Sequence, residues 1–185
     1  MSYNSWEEAF YAQAIQDFEL AKTGAVEIKK HGAAVCMLLQ MFFEKYAKAI
    51  YCHLNHCPPP RSHRTTKAFL SVLRGSAKYS KYKKANGISN WKKDKRQFLD
   101  FFDFITKLEA LQPSNANSGK IEDDSPQLEY PWRCKDMNLF YAPCSDLDIT
   151  HEIEDPNSRL FSKILPIAKN LIDDFPRFCE TNRFP

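Results

Sequence analysis

Apolar residues recur at steps of three and four along most of this chain, the spacing of one face of an α-helix. The first run follows Ser5, which together with Glu8 predicts a capping box and the start of a helix. After a break at Gly32, residues 33–54 are apolar nearly all round. We expect that helix to be buried by sister helices or by a second subunit, and to end at the prolines 58–60.

Three further helices are predicted: one from near Ser62, one over residues 94–111, and one over about 157–175, in which Pro166 predicts a kink or a late start. Residues 112–155 are polar, turn-rich or aperiodic, and predict a long irregular connection. No strand-like alternation is seen. The predicted fold class is all-α: one domain, residues 1–185, forming an antiparallel four- to five-helix bundle with a long irregular loop before the last helix.

The composition of the chain indicates which broad class of protein it belongs to. The chain of 185 residues is 43% hydrophobic and 26% charged, which is typical of a soluble globular protein. The start, "MSYNSWEEAF", lacks a signal-peptide pattern, and charges at the centre of residues 33–54 argue against a membrane span. Six cysteines at irregular spacing predict reduced thiols rather than a disulfide framework. We expect a cytoplasmic protein that does not enter a membrane.

Charge is strongly segregated along the chain. Residues 61–96, here called the basic segment, carry 12 basic side chains and one acidic side chain, whereas residues 97–185 carry 9 basic and 16 acidic ones. Lysines that neutralise phosphates, interleaved with aromatic rings that stack on unpaired bases, favour single-stranded RNA. The predicted nucleic-acid-binding residues are Arg61, Arg64, Lys78, Lys81, Lys83, Lys84, Trp91, Lys92, Lys93 and Arg96. Alternatively, the segment is a solvated loop, or the acidic residues 122–155 mask it.

The stretch "YCHLNHC" places Cys52, His53, His56 and Cys57 within six residues. Adjacent residues on a helix point about 100° apart, so four ligands converge only if the turn unwinds. We favour the alternative that this is the last turn of a buried helix, with Cys52 packed as a small hydrophobe. No phosphate-binding or dinucleotide-binding glycine pattern is present, and we expect neither a metal nor a cofactor.

Residues in the first two predicted helices resemble the HEPN domain family. "AIQDFELA" matches the family pattern A-x-x-D-x-x-x-A, and "QMFFEKYAKA" matches Q-x-x-x-E-K-x-x-K-A through the five residues Gln40, Glu44, Lys45, Lys48 and Ala49. Ser62 and His63 stand where the family often has a Ser/Thr–His pair, and "LEYPWR" resembles its loop before the final helix. The resemblance implies a helical bundle, usually dimeric, with roles in RNA cleavage, RNA or nucleotide binding, and pairing with nucleotidyltransferases in toxin–antitoxin or defence systems.

The nuclease members of that family use the motif Arg-x(4–6)-His, and no histidine of this chain has an arginine at that spacing. We therefore expect a HEPN-like homodimer that binds RNA or a nucleotide without the usual nuclease motif. One alternative is a divergent, metal-independent RNase, with His63, Arg64 and Arg133 as catalytic candidates. The other is an interaction module that pairs with a nucleotidyltransferase.

Overall fold

The computed structural model describes residues 3–27, 32–59, 101, 103–111, 132–134, 139–141, 147–150, 155, 157–158 and 160–181. Most of them are helical. Four helices are labelled α1 (Trp6–Glu27), α2 (Gly32–Asn55), α3 (residues 103–110) and α4 (Leu165–Thr181), and a π-helical turn, Leu160–Ile164, leads directly into α4. Two short strands are β1 (Trp132–Cys134) and β2 (Leu139–Tyr141). The described part is thus an all-α fold with one small hairpin.

The start of α1 confirms the predicted capping box. Ser5 Oγ accepts a hydrogen bond from the backbone N–H of Glu8, at 3.1 Å. The Glu8 carboxylate in turn accepts the backbone N–H of Asn4, at 2.9 Å, one residue before the cap position. Two N–H groups at the helix start are satisfied in this way, which fixes where the chain enters the helix.

Helices α1 and α2 pack against each other along their whole lengths in opposite directions. Near the end of α1, an added Cβ on Gly24 would lie 3.0 Å from Val35 at the start of α2. Half-way along, the rings of Phe18 and Phe42 are 5.3 Å apart. The short connection between the two helices, residues 28–31, enforces this hairpin arrangement, because two long helices joined so closely fold back on each other.

The start of α2 explains the glycine found there. A Cβ placed on Gly32 would lie 2.6 Å from the carbonyl oxygen of Thr150, so no larger residue fits without a backbone shift. Residues 148–150 form a short helical turn, in which Ile149 and Thr150 are buried, as is the preceding Leu147. Gly32, which the sequence predicts as a helix break, is therefore also the point where the connection before α4 packs against α2.

Burial of α2 agrees with the sequence prediction but does not require a second subunit. Fourteen of its residues are buried, and only Ala34 and Asn55 are exposed. The shielding comes from this chain itself. One core cluster joins α2 to α1, to Phe101 and α3, to the turn at 147–150 and to α4. In α3, Phe104, Ile105 and Leu108 are buried. The apolar circumference of α2 therefore gives no argument for a dimer.

The C-terminal helix differs in its boundaries from the prediction. The α-helical part starts at Leu165, preceded by the π-helical turn. The late start is expected, since the ring of Pro166 crowds the carbonyl four residues earlier, at Ser162, and the backbone widens there. The helix then continues to Thr181, past the predicted end at residue 175 and through Pro176. A hydrogen bond from the Tyr11 hydroxyl to the carbonyl of Ile172, four residues before Pro176, accommodates that proline.

The connection predicted to be irregular contains a β-hairpin. Strands β1 and β2 pair antiparallel, with Arg133 opposite Phe140. Three-residue strands are too short to show an alternating pattern, although their tryptophan, phenylalanine and tyrosine are residues that favour strands. Among the described residues, no helix has the length and apolarity needed to cross a membrane. The helix predicted to start near Ser62 lies outside the described residues.

Candidate functional site: polar side chains on α1 and α2

Asp17 and Lys45 form an ion pair in the interface between α1 and α2. Lys45 Nζ lies 2.6 Å from Asp17 Oδ2, and the Asp17 side chain is only 4% exposed. Gln13 Nε2 donates to the second carboxylate oxygen, Oδ1, at 3.1 Å. A buried carboxylate is tolerated only when its oxygens receive hydrogen bonds from a cation or a neutral donor, and here both do.

Glu44 and Lys48 form a second pair, one helical turn apart on α2. Lys48 Nζ lies 2.5 Å from Glu44 Oε1, and each side chain is 12% exposed. The same ammonium group lies 5.8 Å from the centre of the Phe10 ring on α1, within the range of a cation–π contact. The pair therefore also links α2 to α1.

Gln40 is the third polar group of α2, and it joins α2 to α3. Its side-chain Nε2 donates to the carbonyl oxygen of Leu108, at 2.5 Å. That carbonyl lies in the last turn of α3, where it also accepts the backbone N–H of Leu111, at 3.2 Å. Gln40 therefore caps α3 from the neighbouring helix. The polar residues that carry the HEPN resemblance thus lie together as contacts between helices.

A second cluster lies at the far end of the helix pair, where the start of α1 meets the end of α2. His53 Nδ1 and Glu7 Oε2 are 3.1 Å apart, with side-chain exposures of 7% and 28%. Cys179, near the end of α4, joins them, and the ligand atoms of all three residues lie within 4.8 Å of one another. Three helices thus place a carboxylate, an imidazole and a thiol at one point, here called the Glu7–His53–Cys179 cluster.

The sequence cluster of Cys52, His53, His56 and Cys57 does not converge. Cys52 and His53 are buried, whereas His56 and Cys57 are exposed. His56 follows the last helical residue with φ of 49°, and its N–H bonds the carbonyl of Cys52 at 2.8 Å. This is the left-handed end of a helix, as the favoured interpretation predicts. Burial raises the pKa of the Cys52 thiol to about 11, with further contributions from Cys57 and Glu7.

Only one of the sequence-predicted site residues lies within the described part of the chain. Arg133 stands on β1, in the hairpin. The catalytic candidates His63 and Arg64 and the nucleic-acid candidates Arg61, Lys78, Lys81, Lys83, Lys84, Trp91, Lys92, Lys93 and Arg96 lie outside it.

Sequence reasoning weighed His53 but missed Glu7 and Cys179 as its neighbours. The three residues stand far apart in the chain, and no local motif signals their meeting. Pairing the start of α1 with the end of α2 would have indicated the contact of Glu7 with His53, but the position of α4 has no such signal. No family model, curated protein or solved structure matches this chain. The resemblance to HEPN therefore stays a prediction based on its own residues.

Proposed function

We propose that this chain is a HEPN-like dimeric protein that binds RNA, or a nucleotide-bearing partner, through the basic segment, without the family's usual nuclease motif. The observation that carries the proposal is the charge of that segment, 12 basic residues against one acidic residue over residues 61–96. Lys81, Lys83, Lys84, Lys92 and Lys93 surround Tyr82 and Trp91 in sequence, a combination suited to phosphates and unpaired bases.

The described residues show how the charged side chains of the HEPN-like pattern are paired. Asp17 and Glu44, the carboxylates of the HEPN-like pattern, pair with Lys45 and Lys48 inside the helix interface. Each of these carboxylates therefore has a lysine of α2 as a partner. The same pairing gives the HEPN-like pattern a structural purpose, so the resemblance does not demand a catalytic site on α1 and α2.

The test is binding of a fluorescent single-stranded RNA to the full-length chain at rising salt. If about half of the basic side chains contact phosphate, affinity falls roughly a thousandfold or more between 50 and 200 mM salt. The triple variant Lys81→Gln, Lys83→Gln, Lys84→Gln should weaken binding and flatten the salt dependence. The matched control removes three half-exposed lysines on described helices, Lys22, Lys107 and Lys169, and should bind nearly as the wild type does.

Two outcomes would favour the alternatives. Cleavage of the RNA in the presence of EDTA, lost in His63→Ala and in Arg133→Ala, would indicate a metal-independent RNase. Absent or salt-insensitive RNA binding would indicate an interaction module instead, and co-purification of a nucleotidyltransferase would support that reading. Light scattering of the same samples measures whether the chain is a dimer, which the resemblance implies.

A further inference from the structure

We propose that Glu7, His53 and Cys179 form a binding site for Zn²⁺ at the point where the start of α1 meets the ends of α2 and α4. The proposal is independent of RNA binding, because it rests on described residues outside the basic segment. Its basis is the convergence of a carboxylate, an imidazole and a thiol from three helices, with ligand atoms mutually within 4.8 Å.

The spacing is close to that of a tetrahedral zinc site. Bonds of about 2.0–2.3 Å to nitrogen, oxygen and sulfur place neighbouring ligand atoms about 3.3–3.8 Å apart. The distance from His53 Nδ1 to Glu7 Oε2, 3.1 Å, is already near that range. Small side-chain rotations would suffice to bring the three donors around one ion. The three protein ligands then leave one position of the tetrahedron for water or for a further ligand.

The kinds of donor select the metal. Ca²⁺ and Mg²⁺ prefer sites built only from oxygen, whereas a thiolate beside an imidazole favours Zn²⁺. The surroundings hold the donors in place: His53 is 7% exposed, and Glu7 is 28% exposed. Both lie on helices that pack against each other along their length, and Cys179 packs against the shared hydrophobic core. A bound ion would tie the ends of three helices together.

The simpler reading is that Glu7 and His53 form only a hydrogen bond between α1 and α2, with Cys179 as a packing neighbour. A different reading places a metal on the sequence cluster, through Cys57 and His56. The test must separate the proposed site from both, and the chain offers matched controls because His56 and Cys57 are exposed neighbours of the same helix end.

The first measurement is a Co²⁺ titration of the full-length chain after treatment with EDTA and dialysis. We expect a thiolate-to-cobalt charge-transfer band with intense visible bands of tetrahedral cobalt, both removed by Zn²⁺. Cys179→Ser should remove the charge-transfer band, and His53→Gln should weaken binding at least about tenfold. Cys57→Ser and His56→Gln should leave the spectrum unchanged. No cobalt spectrum, or a spectrum lost in the Cys57 and His56 variants and kept in Cys179→Ser, would overturn the proposal.

A second measurement needs no variant and therefore does not depend on whether Cys179→Ser folds. The wild-type chain is alkylated with N-ethylmaleimide with and without Zn²⁺, and the modified peptides are quantified by mass spectrometry. Zn²⁺ should slow modification of Cys179 at least about tenfold, since a coordinated thiolate is a poor nucleophile, and should leave the exposed Cys57 unaffected. An unchanged rate at Cys179 would refute the site.

Discussion

At the residue scale, the end of α2 shows how a helix terminus can imitate a chemical motif. His56 adopts φ of 49°, a conformation that favours glycine, because its N–H turns back to the carbonyl of Cys52. The histidine stands there as the residue that ends the helix. It pays a steric cost for its Cβ in this conformation.

Replacing His56 with glycine should therefore stabilise the protein by about 0.5–1 kcal/mol, since glycine adopts this conformation without a steric cost. Urea denaturation measures the change. Asn55→Gly is the control: it places glycine one residue earlier, within the helix, and should lower stability by about 0.5–1 kcal/mol. Equal effects of the two variants would contradict the assignment of the helix end.

Asp17 shows the second residue-scale principle, that a buried charge depends on its partner. Lys45→Met leaves the carboxylate 4% exposed with only the Gln13 amide as a donor, and we expect a loss of about 2–3 kcal/mol. The control Lys22→Met removes an exposed pair with Glu19, at 3.6 Å, and should change stability by no more than about 0.5 kcal/mol. Urea midpoints of both variants measure the difference; similar losses would show that the Asp17 pair is screened like a surface pair.

At the element scale, α4 contains a proline that removes one helical hydrogen bond, and a side chain of another helix replaces that bond. Pro176 has no N–H, so the carbonyl of Ile172, four residues earlier, lacks its helical donor. The Tyr11 hydroxyl on α1 donates to that carbonyl at 2.7 Å, and its ring stacks on Phe175 at 4.2 Å. Burial raises the pKa of Tyr11, with further contributions from Asp173 and Cys179, so the phenol stays protonated and able to donate.

The two features should be energetically coupled. Tyr11→Phe should cost about 1 kcal/mol in the wild-type chain but markedly less in Pro176→Ala, where the new N–H satisfies Ile172. Tyr46→Phe is the matched control, since the Tyr46 hydroxyl donates at 2.9 Å to Leu171, whose helical donor is Phe175 and not a proline. Its cost should be the same in both backgrounds. Denaturant unfolding of the six combinations measures both couplings, and an additive Tyr11 cycle would disprove this account of Pro176.

At the scale of the whole molecule, the chain shields α2 without help. Only Ala34 and Asn55 of that helix are exposed, and the core cluster that covers it draws on α1, Phe101 with α3, the turn at 147–150 and α4. A dimer of the HEPN kind, which we propose, would therefore assemble from subunits that are already folded. The folding of a subunit would therefore not require its association with a second subunit.

At dilutions at which light scattering shows a monomer, the chain should consequently stay folded, with a urea midpoint that is independent of protein concentration. In an obligate dimer that buries its central helix at the subunit interface, the midpoint instead rises with concentration. Such a rise, seen by circular dichroism, would show that folding and assembly are a single step.

A structural feature was predictable from the sequence when it depends on residues that are close together in the chain. The capping box at Ser5, the helix 33–54 and the disturbance at Pro166 were predictable, because each follows from residues within a few positions of one another. The hairpin of β1 and β2 was missed, because three-residue strands carry no periodicity. The end of α4 was predicted too early, because the donor that lets the helix pass Pro176 stands on α1.

The sequence by itself determined the helical class of this protein, the start of α1, the boundaries of α2 to within a residue, and the concentration of positive charge in residues 61–96. All of these are set by composition and by spacing along one chain. Only the tertiary structure decided which polar groups meet: Asp17 with Lys45, Gln40 with the end of α3, and Glu7 with His53 and Cys179. Such contacts depend on how helices pack side by side, and the packing of distant segments leaves no local pattern in the order of the residues.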